Sequence, residues 1–171
     1  MLVVLAILTL FAFLVVPKFI GSRNRARLDS ALQMALNDLS FARARAISTG
    51  LRHQVVMDTQ SGELVVAPYH PEDAEVRTAS TAPQQDVALR DAFPEDVAIS
   101  SWTVSPMGVN TQTAGTSGTA GDGPLTFYPE GRGDDATLVL RDGDGDRKGL
   151  LVDGYSGVIR EMTDTELAQY R

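Results

Sequence analysis

The strongest constraint on this chain lies in its first fifty residues, which read as two helical segments laid end to end. Residues 1–16, MLVVLAILTLFAFLVV, are apolar at every position except Thr9 and contain no Gly, Pro or charge. A core helix of a soluble domain keeps a polar stripe, and this segment has none. A cleavable signal peptide needs a basic start and a small-x-small cut site, and neither is present around Val16-Pro17-Lys18. A membrane anchor remains. Its length of ~24 Å at ~1.5 Å per residue falls a little short of the ~30 Å bilayer core. Pro17 lacks an N–H and clashes with the preceding turn, so a kink or a break is expected there. Lys18, Arg23, Arg25 and Arg27 come directly after the run. By the positive-inside rule alone they would hold the C-terminal side of the anchor in the cytoplasm.

Beyond Pro17 the period stays helical. Leu28, Leu32, Ala35, Leu39, Ala42 and Ala46 form one continuous stripe, Leu in its lower half and mostly Ala in its upper half. Arg27, Ser30, Asn37 and Arg45 occupy the opposite, solvated face. Gly50 suits a C-terminal cap, and Arg43 and Arg45 suit the negative end of the helix dipole. Met34 and Phe41, seven residues apart, stack on one side away from the stripe. They read either as incidental surface hydrophobes or as a contact with a neighbouring subunit, and with Pro17 they are the candidate assembly residues.

From residue 51 the pattern changes to strands and turns. Residues 54–57 and 63–67 flank Thr59-Gln60-Ser61-Gly62 as a hairpin. A short strand is expected at 86–90 and a longer one at 97–104, with loops at 69–82 and 105–123. Four short strands come next at 125–128, 137–141, 150–153 and 158–162, spaced by turns as in an antiparallel sheet. Thr163-Asp164-Thr165-Glu166 has capping-box form, so residues 164–170 read as a short terminal helix. The expected fold is α+β, with the Leu/Ala stripe covering a sheet face. The expected division is residues 1–17 as a transmembrane helix, 18–50 as an amphipathic stem and 51–171 as a β-rich head.

Charge narrows the partners. Residues 1–50 carry six Lys/Arg against two Asp/Glu, and residues 51–171 carry nine against twenty. An acidic head disfavours nucleic acid, which needs a basic face. The chain has no cysteine, which removes disulfides, Cys metal sites and thiol catalysis.

These residues resemble a known family. The opening apolar run with its terminal proline is similar to the N-terminal segment of type IV pilins and type II secretion pseudopilins. The stem ending in LSFARARAISTG, LTFYPEGRG at 125–133 and VDGYSGVIRE at 152–161 resemble the GspH/FimT-type minor pseudopilins. The resemblance covers the first ~50 and last ~45 residues and leaves the middle unmatched. It implies a pilin-like fold, a long N-terminal helix packed on an antiparallel β-sheet head. It also implies a single-pass inner-membrane protein with its head in the periplasm. The implied partners are other pseudopilins or pilins, the inner-membrane assembly platform and membrane lipid. The family's basic leader, aromatic first residue, N-terminal methylation and docking glutamate would all lie before Met1 and are not carried over.

No residue pattern points to catalysis. His53 and His70 lack a nucleophile or carboxylate partner by spacing, and no nucleophile elbow or phosphate-cradling loop occurs. The sharpest motif is Asp142-Gly143-Asp144-Gly145-Asp146, with Asp153 at the twelfth position of an EF-hand-like count. Arg147 stands where that loop needs Gly, and Lys148 adds a second cation, so the motif reads as a solvated hairpin loop and neither metal nor cofactor is expected. The leading reading is a minor pseudopilin that helps start or cap a periplasmic filament driving protein export. The rivals are a minor type IV pilin, including forms that take up DNA, and a membrane-anchored binding module that does not polymerise.

The short apolar run also carries an expectation about the gene. The reading frame should continue upstream, with Glu directly before Met1, an apolar tripeptide before that, and a Gly preceded by Lys or Arg. Five further residues bring the apolar helix to ~31 Å and place positive charge on the cytoplasmic side. The upstream nucleotides, or an N-terminal peptide from native membranes, check this. An in-frame stop just before Met1 would refute it.

Overall fold

The structure is a computed structural model. It describes the backbone of residues 2–58, 61–69, 87–105 and 123–170, and the side chains of 24–57, 61–69, 87–105 and 123–170. Helix α1 spans Leu2–Thr49 as one element of 48 residues, ~72 Å long. It passes through Pro17 without the break that was one of the two expected outcomes there. A proline removes one hydrogen bond and crowds one turn, so a helix long on both sides resumes past it. No helix among the described residues is long and apolar enough to cross a membrane. Residues 1–16, on which the anchor expectation rests, lie outside the residues whose side chains are described.

The stem stripe is buried as its spacing requires: Leu28, Leu32, Ala35, Leu39, Ala42 and Ala46 are all 0–2% exposed, and Ala31 joins them. The helix closes at Gly50, whose φ of 68° few side chains tolerate and whose N–H reaches the Ala46 carbonyl at 3.1 Å.

Among the described residues the strands are β1 His53–Asp58, β2 Glu63–Pro68, β3 Leu89–Ala92, β4 Val97–Ser105, β5 Leu125–Phe127, β6 Asp135–Asp142, β7 Arg147–Asp153 and β8 Val158–Glu161. They form two four-stranded sheets, β3-β2-β1-β5 and β4-β6-β7-β8, antiparallel in every pairing. The four C-terminal strands therefore do not make one sheet: β5 leaves the others and pairs with β1, Val55 opposite Leu125. A bulge between Ile99 and Ser101 bends β4 against β6. A short helix, α2 (Asp164–Leu167), ends the chain with a 3-10 turn. Its expected capping box is made: Glu166 Oε2 accepts from the Thr163 N–H at 2.8 Å and from the Thr163 hydroxyl at 3.0 Å.

One apolar cluster joins the helix to both sheets. Rows at period two point inward: Val55 and Met57 of β1, Leu64 and Val66 of β2, Leu125 and Phe127 of β5, Leu138 and Leu140 of β6, Leu150 and Val152 of β7. Trp102 of β4 is 1% exposed, and its indole N–H bonds the Gly123 carbonyl at 3.1 Å. The alanines of the upper stripe set how close the helix sits to this cluster. Ala42→Leu should destabilise the full-length protein in detergent by roughly 1–3 kcal/mol through overpacking. Chemical denaturation reads this out, and an unchanged midpoint would remove Ala42 from the helix–sheet contact.

Candidate functional site

Of the three candidate assembly residues, Pro17 is helical in backbone, and its side chain lies outside the described residues. Met34 is half-buried and packs against the core cluster, so it does not stand clear of the stripe as its spacing suggested. The buried arc is wider than the stripe, because Ala31 and Asp38 are buried beside it. Phe41 is 36% exposed, with the Arg45 guanidinium 5.7 Å from its ring centre.

Phe41 borders a strip narrower than the polar face read from the sequence: at ~100° per residue Arg27 and Arg45 fall to one flank of Ser30 and Asn37. Ala26, Ser30, Gln33, Asn37, Ser40, Ala44 and Ser48 are all exposed, recur at helical spacing and carry no charge. On one side this strip continues into a shallow groove of about 290 Å³, lined by Ser40, Arg43, Ala44, Ile47, Val158 and Ile159.

Charges grip the helix on its two flanks instead. Near its lower end the Asn24 amide donates to Asp144 Oδ2 and Arg25 Nε donates to Asp146 Oδ2, both at 2.8 Å. Arg27 pairs with Asp96, and Lys148 Nζ lies 2.7 Å from Asp29 and 3.3 Å from Glu161. Hydrogen bonding to Asp29 raises the Lys148 ammonium above its ordinary value. The aspartates of the 142–146 loop thus act as clamps. Asp142 Oδ1 accepts the N–H groups of Asp144 and Asp146 at 3.0 and 2.9 Å, which shapes the loop. The other two carboxylates reach the helix. Among the described residues no group of three or more potential ligands is gathered to hold a metal ion.

At the upper end the two C-terminal motifs become one packed unit. The Gly133 N–H donates to the Gly154 carbonyl at 2.9 Å, and the Gly154 N–H donates to Asp135 Oδ1 at 2.8 Å. Arg43 fastens both turns to the helix, Nε to the Gly131 carbonyl at 2.9 Å and Nη2 to the Ser156 carbonyl at 3.1 Å. It therefore holds turns rather than simply facing the helix dipole. Gly157 has φ 66°, and a Cβ there would fall on the Gly131 carbonyl oxygen. Nearby, Arg132 stacks on exposed Tyr155 at 4.9 Å, and Arg52 stacks on Tyr128 at 5.2 Å and Tyr69 at 5.9 Å. Burial, reinforced by the charge of Asp134, raises the Tyr128 hydroxyl above its usual range. His53 is buried, with its Nδ1 3.2 Å from the Leu51 carbonyl. His70 lies outside the described residues.

No protein-family model and no curated protein sequence matches the chain. Solved structures do. The minor pseudopilin EpsH from the type 2 secretion system of Vibrio cholerae matches in two structures. One has TM-score 0.53 and 11% identity over 80% of this chain and 97% of that one. The other has TM-score 0.53 and 13% identity over 82% and 95%. The type IV minor pilin FimU of Pseudomonas aeruginosa matches with TM-score 0.54 and 16% identity over 82% and 92%. The chain has the pilin-like fold.

The turn unit makes a sharp demand on one glycine. Gly157→Ala should cost roughly 2–4 kcal/mol, from the left-handed backbone and the clash together. Gly143→Ala, with open space around its Cβ position, should stay within about 0.5 kcal/mol of the parent. Equal effects in thermal melts of the two variants would show that the turns are not packed as described.

Proposed function

We propose that this chain is a minor pseudopilin of a type II secretion system. It works by assembly: α1 packs among the helices of like subunits in a short filament, and the head faces the periplasm. One observation carries the reading. A single continuous helix is sealed to the head along one stripe, pinned by charge on both flanks, and left uncharged on its outer strip. Such a strip accepts another protein surface at less desolvation cost than a charged one, since no ion must be buried and its hydroxyls and amides can bond across the contact. Phe41 supplies an apolar anchor at its margin.

The apolar run of residues 1–16 supports membrane residence with lipid around it, and the resemblance to pseudopilins adds the inner membrane and its assembly platform. A collar of ion pairs between the lower stem and the head supports a periplasmic head. Arg25 and Arg27 are half of the basic set behind the apolar run, and head carboxylates neutralise both. Their pull toward the cytoplasmic side is thereby weakened. The likeness to FimU supports the alternative of a minor type IV pilin, which genomic neighbours would separate from the first reading. The acidic composition of the head speaks against a nucleic-acid partner.

The natural chain has no cysteine, so a single Asn37→Cys reports its own contacts. Labelled there with a thiol-reactive photoactivatable crosslinker and illuminated in membranes containing the full system, it should give covalent adducts with other subunits. A chain that stays monomeric would be a membrane-anchored binding module instead. Phe41→Asp should reduce those adducts severalfold with little change in melting temperature. Met34→Lys should lower the melting temperature itself, because Met34 packs on the core. A Phe41 variant that loses stability as much would move Phe41 into the core as well.

A further inference from the structure

Two acids border the contact between the helix and the first sheet, Asp38 and Asp91, within hydrogen-bonding and Coulombic reach of each other. Asp38 lies at the margin of the buried stripe and is 4% exposed. Its neighbours one turn away, Met34, Ala35, Phe41 and Ala42, carry no charge. Edge strand β3 turns Leu89 and Asp91 inward and Arg90 and Ala92 outward, by its alternating burial. Asp91 stands opposite fully buried Leu64 in the strand register. It occupies a position whose pattern calls for an apolar residue. Asp38 Oδ2 is buried without a hydrogen-bond partner. The charged groups around the pair are engaged elsewhere: Arg90 with Glu63 at 3.6 Å on the outer face of the sheet, and Arg27 with Asp96. His53 of β1 is directed at the Leu51 carbonyl, and the inward residues of β1 and β2 are Val55, Met57, Leu64 and Val66.

We propose that Asp38 and Asp91 form a proton-operated latch: a shared proton holds edge strand β3 against the stem helix, and loss of that proton loosens the strand. Two carboxylates in contact in an apolar setting do not both ionise cheaply, so one keeps its proton and donates to the other. Burial first, then the charge of Asp91 and the hydrogen bond to it, push Asp38 up to about 6. Its folded value thus lies above its ordinary value of 3.8. The stabilisation is complete below about pH 4 and is lost as pH rises through about 6, up to about a hundredfold in the folding constant. The latch belongs to the fold and is independent of the assembly reading.

The test uses the full chain in detergent micelles, with Asp38→Asn and Asp91→Asn variants. The melting temperature of the native protein minus that of Asp38→Asn should fall between pH 5 and 7 and then level off. At pH 7.5 the variant should be the more stable by several degrees. Amide exchange of Leu89–Ala92, corrected for its intrinsic pH dependence, should quicken over the same interval in the native protein and not in Asp38→Asn. Asp91→Asn should move the Asp38 midpoint, followed by carboxyl NMR, to lower pH. Parallel melting curves for native and Asp38→Asn, or an unmoved midpoint in Asp91→Asn, would overturn the proposal. If Asp38→Asn does not fold, the Asp91→Asn midpoint decides alone.

Discussion

The burial of one helical stripe against two sheets is the interaction on which the rest of this structure depends. Each sheet carries rows of apolar side chains at period two, and α1 meets rows from both. Leu28, Leu32 and Leu39 supply most of the apolar area, roughly 1.5–3 kcal/mol each if fully transferred from water. Alanines 35, 42 and 46 supply little area but let the backbone approach. The stripe therefore grips by bulk in its lower half and by proximity in its upper half. The upper half is where Arg43 can reach two turn carbonyls across the gap.

Sealing the helix along one stripe fixes where its charges go. At ~100° per residue, Arg25, Asp29 and Arg43 lie on one flank, and Arg27 and Asp38 lie on the other. Each finds its partner on the nearest edge of the head: the β6–β7 loop, Lys148 and the glycine turns on one side, Asp96 and Asp91 on the other. The exposed pairs add little stability on their own. Their consequence is positional, because they keep charge off the outer strip. The excess acid of the head is partly spent on this collar.

Much of this was legible in the chain. The Leu/Ala stripe announced itself by period, and so did the 53–68 hairpin, β4 and the capping box at Thr163. Helical period and turn residues are local signals. The partition into two sheets was not legible, because β5 chooses β1 over β6 on packing between segments some seventy residues apart in sequence. The Asp142–Asp146 motif was readable as a loop, but its partners Asn24 and Arg25 are more than a hundred residues away. Met34 and Phe41 looked equivalent at a spacing of seven, yet a buried arc wider than the stripe took one and left the other. Asp38 gave no signal of its own, since a single acid on an amphipathic helix usually faces water.

The glycine turns explain how a fold like this survives when few side chains are shared. Tyr128–Gly133 and Asp153–Gly157 are held by backbone carbonyls and N–H groups, which every residue possesses, and by glycines that leave room for them. What such a unit demands of sequence is the absence of Cβ atoms at a few points and one long cation to span the gap. The stem makes a similarly loose demand, for small apolar residues at helical spacing. A chain can drift at nearly every other position and keep both. The strictly specified positions are then few, and they lie where the head meets its own helix. The outer strip of α1 is under no such constraint from the fold. Its freedom from charge along more than twenty residues has to be accounted for by something outside the head, and in the proposed reading that is the neighbouring subunit.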